Sequence, residues 1–323
     1  MKALVTGGTG FVGRHLVEHL RAQGDDVTAL VRSPQRAEPL AALGARLERG
    51  DLNDRPALAR AAAGQDVIYH VAGAVAAPNE TAYLAGNRDG TAHLVEAAAE
   101  AGTRRFVFVS SLAAAGPSRP GAPHRGDVDP HPVTAYGRSK LAGEQVVRAS
   151  PLAWTIVRPP AVYGPRDRDN FLTVYKALTL GIAPVFGDGS TELSAVYAPD
   201  LAEALRAAGT TDATIGSIYY ANHPEVVTSA DLVRTIARSA GRRVRIIGLP
   251  ETLARGILTA TGGVARLLGR TTILNADKAN EFYQAAWTGD PGDLTRDAGW
   301  RARHDVASGF AATWQWYRGA GWL

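Results

Sequence analysis

The sequence predicts an α/β fold in which a parallel sheet is covered by helices on both faces. Two observations carry this: short apolar runs alternate with helix-patterned stretches through the first half, and the first run ends in a glycine cluster, "TGGTGFVG". The runs are apolar on both faces, as strands buried within a parallel sheet must be. Taken in order, "KALVTG" reads as a strand, "HLVEHLRAQG" as a helix and "DVTALVR" as a strand. "PLAALG" is a short helix, "ARLERGDL" a strand, "PALARAAAG" a helix and "DVIYHVAG" a strand. A helix in "GTAHLVEAAAEAG", a strand in "RFVFVSS", a helix around "TAYGRSKLAGE" and a strand in "WTIVRP" continue the alternation. Ligands of such sheets sit at the carboxyl ends of the strands.

Composition excludes several classes. The 323 residues contain no cysteine, which removes disulfides and thiolate metal sites, and the eight histidines are scattered without an HExxH spacing, so no metal is expected. The formal charge of +4 comes from 35 basic and 31 acidic residues, and the densest basic cluster is only "GRRVRI" at 241–246. Nucleic acid is therefore not an expected partner. The N-terminus runs straight into a strand without the pattern of a secretory signal, and a cytoplasmic protein is expected. The stretch "LARGILTATGGVARLLG" from Leu253 carries Arg255 and Arg266 and falls short of the ~20 apolar residues a membrane span needs. Within it Leu253, Ile257, Val264 and Leu268 recur at helical spacing. That suits a helix packed on the body first, and otherwise a lid over an apolar pocket or a surface resting on lipid.

The glycines specify a ligand. Gly8, Gly10 and Gly13 fit GxGxxG, and Gly7, Gly10 and Gly13 fit TGxxGxxG. Because they follow a strand and open a helix, they allow a tight turn and leave the helix N-terminus free to face a pyrophosphate. This is the dinucleotide site of a Rossmann, doubly wound sheet, with Phe11 and Val12 of the same motif lining it. An acidic residue at the end of the second strand would suit NAD, and an arginine suits the extra phosphate of NADP. That strand ends in Arg32, with Ser33 beside it and Arg36 one turn on, so NADP(H) is the preferred cofactor and NAD(H) the alternative.

In "TAYGRSKLAGE" Tyr136 and Lys140 stand four apart, which places both on one helix face. A cation beside a phenol favours the phenolate, making a proton donor and acceptor usable nearer neutrality. The chain has four lysines, at 2, 140, 176 and 278, and otherwise uses arginine, so Lys140 points to a need for a compact ammonium. Lys176 and Lys278 have no such explanation.

With "TGGTGFVG", "GDL" at 50–52, "HVAG" at 70–73, "NRDGT" at 87–91, "VSS" at 109–111, "YGRSK" and "RPPAVYGP" at 158–165, the chain resembles the extended short-chain dehydrogenase/reductase superfamily, also called the NAD-dependent epimerase/dehydratase family. It looks most similar to the branch of dihydroflavonol reductases and 3β-hydroxysteroid dehydrogenases. The resemblance implies that Tyr136 is the acid/base on the substrate oxygen and that Lys140 tunes it and holds the nicotinamide ribose. Ser111 would hydrogen-bond the reacting carbonyl. Asp51 and Leu52 would border the adenine, Ala72 the cofactor, and Pro159 and Val162 the nicotinamide, with Asn87 supporting the site. It also implies a homodimer built on the "GTAHLVEAAAEAG" and Tyr136 helices.

Departures narrow the chemistry. Sugar-nucleotide dehydratases carry an Asp-Glu pair where this chain has Leu112 and Ala113, so elimination lacks its catalysts. Nucleotide-sugar epimerases commonly place an arginine where Leu193 stands, which disfavours a sugar-nucleotide phosphate. The loops 72–78 and 111–116 are apolar and small, fitting an apolar or aromatic carbonyl compound, unless their alanines only pack. Residues 1–164, completed by about 196–222, are expected to form the dinucleotide domain, and 165–195 with 223–323 a smaller C-terminal substrate-binding domain. Trp287, Trp300, Trp314 and Trp316 are expected as core anchors, with "TWQWYRGAGWL" a final docking helix. The leading expectation is a carbonyl reductase or alcohol dehydrogenase. An epimerase with tightly held NAD and a noncatalytic dinucleotide-binding subunit are the alternatives, the second disfavoured by the intact Ser111, Tyr136 and Lys140.

Overall fold

A computed structural model of the chain describes residues 1–168, 170–178, 181–267, 271–273 and 276–323. Asp169, Thr179 and Leu180 of the segment expected to border substrate, and Leu268 of the apolar stretch, lie outside the described residues.

Seven parallel strands form the central sheet: β1 (Lys2–Thr6), β2 (Asp26–Val31), β3 (Arg46–Arg49), β4 (Val67–His70), β5 (Arg105–Val109), β6 (Trp154–Arg158) and β7 (Ser217–Tyr220). Their spatial order is β3-β2-β1-β4-β5-β6-β7, so the winding reverses between β1 and β4. At that switch point the flanking loops diverge and leave a crevice for a ligand. β4 and β5 are buried along their whole length, as strands covered on both faces must be. One apolar layer gathers Leu16, Val17 and Leu20 of the helix Phe11–Ala22 with Leu201 and Leu205 of the helix Ala198–Thr210. The opposite layer gathers Leu94 and Ala98 with Phe106, Phe108 and Ile156.

Smaller sheets stand beyond the strand ends. Glu192–Leu193 pairs with Val227–Thr228 and Ala286–Trp287, and Ile182–Phe186 pairs with Arg245–Leu249. The final helix, Val306–Gly319, packs Phe310 and Tyr317 into a third apolar cluster with Tyr163 and Tyr175. Trp287 and Trp300 are buried, while Trp314 and Trp316 pack against that cluster half-buried, so the tryptophans act as core anchors.

Candidate active site

The phosphate cradle is built by contact. Gly7 has φ 73°, and a Cβ there would lie 2.6 Å from the backbone nitrogen of Ala72; a Cβ on Gly13 would lie 2.1 Å from the Gly7 oxygen. Any side chain at either position would collide with backbone. Gly10 begins the helix in an extended conformation with no side-chain cap, so the N–H groups of the first turn are left for a ligand. Phe11 and Val12 occupy that turn. The cradle therefore fits a dinucleotide pyrophosphate.

Next to it lies a cavity of about 580 Å³ lined by Arg32, Glu48, Arg49, Asp51, Asp54 and Arg60. Asp54 caps the following helix through Ala57 N–H, and Asp51 accepts from Asn53 N–H at 2.7 Å. Glu48 holds Arg60 at 3.0 Å. Arg32 and Arg49 are exposed and form no ion pair among the described residues. Arg49 was not anticipated; the pairing of β2 with β3 puts it opposite Val31, the residue before Arg32. Arg36 is exposed on a short turn outside the cavity lining, and the Ser33 hydroxyl donates to Gln35. Leu52 packs where Gly90 leaves room for it, and its carbonyl pairs with the His93 ring at 2.8 Å.

The helix Ala135–Arg148 brings Tyr136 and Lys140 beside the Ser111 segment. Thr134 caps it, accepting from Gly137 N–H at 3.1 Å. Gly137 lets the helix approach the Ser111 segment, since a Cβ there would lie 2.4 Å from the Ala113 oxygen. Ser111 caps the short helix Leu112–Ala115, accepting from Ala113 N–H at 3.1 Å, and its hydroxyl stands near enough to the Tyr136 phenol to influence its ionisation. The Pro159 carbonyl accepts from Leu112 N–H at 2.9 Å, which brings the β6 end to the same place. Val162 lies one strand further on, paired with Val196 and packed on the core.

The Tyr136–Lys140 pairing differs from expectation. The Lys140 ammonium turns away to donate to the Val109 carbonyl at 2.7 Å and sits 4.4 Å from the centre of the Phe108 ring. Burial lowers it to about 8, against the opposing pull of Glu144. Burial pushes the Tyr136 phenol up to about 12; the nearby Ser111 hydroxyl lowers it, while Glu281 and Tyr83 raise it further. The expected lowering of the phenol by the lysine is thus absent here: shared helix face brings Cβ atoms together, but the four-carbon stem carries the charge to the nearer strand carbonyl.

Two buried networks hold these groups. Asn87, on a widened helical turn at Ala85–Asp89, donates to Ser139 at 2.8 Å and to the Ala74 carbonyl at 3.0 Å, and accepts from Ala74 N–H at 2.7 Å. The Thr91 hydroxyl donates to the Asn87 carbonyl, so its oxygen accepts from His70 Nε2–H at 2.9 Å. His70 Nδ1 then accepts from the Thr6 hydroxyl at 2.7 Å, and Thr6 accepts from Ala72 N–H. Burial, with Lys140 nearby, holds His70 down to about 3 and thus neutral, as this chain requires. The second network joins Glu144 to Ser110, to Arg158 through both carboxylate oxygens, and through Arg158 to Tyr220. Neither Glu144 nor Arg158 was singled out in the sequence; "YGRSKLAGE" places Glu144 one turn beyond Lys140, but its partner is 14 residues away on another element.

Leu112 and Ala113, standing where dehydratases carry their acidic pair, are buried. Leu112 packs with Ala115, Tyr220 and Trp287, and Leu193 joins the same apolar wall. The alanines of 112–115 are interior, so of the two small apolar loops only 72–78 offers surface. A cavity of about 500 Å³ opens beside the start of the helix Ala135–Arg148, between Pro132, Val133 and Arg138 on one side and Glu251, Arg255 and Tyr283 on the other. Among the described residues no metal-binding cluster forms, and no helix is long and apolar enough to cross a membrane.

A doubly wound sheet with this cradle at its switch point defines a dinucleotide-binding protein of the extended short-chain type. The chain belongs to the NAD dependent epimerase/dehydratase family, whose model matches residues 3–220. It is 34% identical over 323 residues to the ceramide reductase of Caulobacter vibrioides (strain NA1000 / CB15N), covering 99% of this chain and 95% of that one. It is 28% identical over 324 residues to a 4-hydroxy-2-methyl-3-oxo-4-farnesyl-3,4-dihydroquinoline-1-oxide ketoreductase of Stigmatella aurantiaca, covering 93% and 97%. Among solved structures it resembles MoeE5 in complex with UDP-glucose and NAD, at a TM-score of 0.78 and 25% identity, covering 99% of both chains. The family thus holds both reductases and sugar-nucleotide enzymes.

Proposed function

We propose that the protein is an NADP(H)-dependent oxidoreductase that reduces the carbonyl of an apolar small molecule, or oxidises the corresponding alcohol. The cofactor, when bound, supplies or accepts the hydride. Gly7, Gly10, Phe11, Val12 and Gly13 hold its pyrophosphate, Arg32 with Arg49 its 2′-phosphate, and Asp51, Leu52 and Ala72 border the adenosine half. Arg36 serves as an outer cation only. Tyr136 gives a proton to the carbonyl oxygen in reduction and takes it back in oxidation, while Ser111 donates to the same oxygen and fixes its position. Lys140 holds the nicotinamide ribose and, once drawn to it, favours the phenolate. Pro159 and Val162 close the nicotinamide side. Residues 165–195 and 223–323 serve as the substrate-binding part.

The observation that supports the choice of substrate is the small apolar loop 72–78, with Val75 exposed, together with the half-buried Leu193 standing where sugar-nucleotide epimerases commonly carry an arginine. A polyhydroxylated sugar would leave hydroxyls unpaired against these, at a cost of about 1–3 kcal/mol for each buried group. The two relatives named for ceramide and a farnesyl quinoline act on apolar compounds, which agrees with this reading. A panel of apolar and aromatic ketones with NADPH and NADH, followed by nucleotide absorbance, tests it. Stoichiometric loss of NADPH with alcohol formed is the expected result. Conversion of a UDP-sugar with no net cofactor turnover would establish the epimerase reading in its place.

A further inference from the structure

Nine large apolar side chains are exposed among the described residues, and five of them, Ile182, Ile247, Leu253, Ile257 and Val264, fall on two consecutive pieces of structure. The first is the strand pair Ile182–Phe186 and Arg245–Leu249; the second is the helix Glu251–Leu267, which follows it directly. On the helix Ala254 and Leu258 are buried, whereas Leu253, Ile257 and Val264 are 53%, 49% and 57% exposed. At 3.6 residues per turn, positions 253, 257, 260 and 264 fall within about 60° of one another. The charged residues Glu251 and Arg255 lie on the other side of the helix and pair with each other at 2.7 Å. Among the described residues the exposed stripe is therefore uncharged.

The strand pair adds cations to the apolar surface. Register sets Arg245 opposite Ile182 and Ile247 opposite Pro184, and all four are exposed. Arg242 and Arg243, also exposed, precede the strand. None of these three arginines forms an ion pair among the described residues. An unpaired, one-signed rim beside an uncharged apolar stripe complements an anionic, apolar-cored surface. The other side of the helix, through Glu251 and Arg255, lines the cavity beside the helix Ala135–Arg148.

We propose that the helix Glu251–Leu267 and the Ile182/Ile247 strand pair dock on an anionic lipid bilayer, the stripe entering the headgroup region and Arg242, Arg243 and Arg245 meeting lipid phosphates. This rests on the apolar-substrate reading and deepens it: the substrate is a membrane-resident carbonyl lipid. Docking of this kind is reversible and weakens with salt, because the arginine attraction fades within a Debye length of about 8–10 Å.

The test uses the full chain and sedimentation with vesicles of phosphatidylcholine alone, or of equal parts phosphatidylcholine and phosphatidylglycerol. Wild type is expected to pellet with the anionic vesicles and to be released by high salt. Arg242→Gln, Arg243→Gln and Arg245→Gln together should weaken binding by about a hundredfold, at about fivefold per arginine. Leu253→Glu with Ile257→Glu should abolish it. Turnover of a water-soluble short-chain ketone should be unchanged in both variants, which shows that they fold. Loss of that soluble activity in wild type would sink the reductase reading without touching the vesicle result. No pelleting with anionic vesicles, or pelleting that neither variant reduces, overturns the docking proposal. So does a wild-type dimer in analytical ultracentrifugation that the Leu253/Ile257 variant converts to monomer, since the stripe would then be an interface between copies.

Discussion

Glu144→Gln is the substitution whose consequences follow most directly from the geometry. Both members of the Glu144–Arg158 pair are 1% exposed. The carboxylate accepts from Arg158 Nε–H at 2.9 Å, from Arg158 Nη2–H at 2.7 Å and from the Ser110 hydroxyl at 2.5 Å. A glutamine keeps the shape but turns one of its two oxygens into an amide donor, which would face the guanidinium in either orientation and the serine hydroxyl as well in one of them. It also leaves a buried cation without its counter-charge. Breaking such a pair from one side costs about 3–5 kcal/mol, and in a chain this large each kcal/mol is worth roughly 2–4 °C in Tm. Thermal unfolding by circular dichroism should therefore show a fall of roughly 6–20 °C. Glu144 is also the charge that holds the Lys140 ammonium up against burial, so the lysine ionisation should move further down in the same variant. The double variant Glu144→Leu/Arg158→Met removes both charges and should be more stable than Glu144→Gln, despite the unpaired Ser110 and Tyr220 hydroxyls. A single variant within about 1 kcal/mol of wild type, or a double variant no better than the single, would refute this reasoning.

Tyr136→Phe should reduce kcat by ~10² to 10⁴ with NADPH affinity nearly unchanged, as steady-state kinetics and calorimetry would register; undiminished turnover would remove the tyrosine from the chemistry. Arg32→Ala and Arg49→Ala should each lower NADPH affinity while sparing NADH, whereas Arg36→Ala should do little, and equal losses for both nucleotides would refute the 2′-phosphate assignment. Glu281→Gln removes a negative charge that raises the Tyr136 phenol, so the alkaline ionisation in the oxidation-direction pH profile should move down; an upward or absent shift would place the carboxylate outside the site. Lys140 titrates at about 8 folded and near its ordinary 10.5 unfolded, so below pH 8 its burial penalty is fully present. Between pH 8 and 10.5 the unfolded chain binds more protons, and the wild type should gain stability relative to Lys140→Met as pH rises through that window. Denaturant titrations of the two proteins at several pH values would measure the difference.

The architecture and the glycine cradle were legible in the amino-acid sequence alone. Strand and helix patterns, the Gly7–Gly10–Gly13 spacing and the position of Arg32 at a strand end are local features, set by side-chain periodicity and by backbone sterics within a few residues. Tyr136 and Lys140 were legible for the same reason, as neighbours on one helix. What their functional groups do was decided elsewhere. Lys140 reaches Val109 because the sheet brings that carbonyl close, and the Tyr136 phenol answers to Ser111 and Glu281, which arrive from before and far after it in the chain. Arg49 reaches the cavity that Arg32 lines through the pairing of β2 with β3, while Arg36, nearer in sequence, stays outside the lining. The alanines after Ser111, which the sequence left open between pocket surface and packing, became core, and the Glu144–Arg158 pair could not be read at all. Charge, burial and hydrogen bonding depend on which distant segments pack together, and only the tertiary structure brings those segments within the few ångströms over which such forces act.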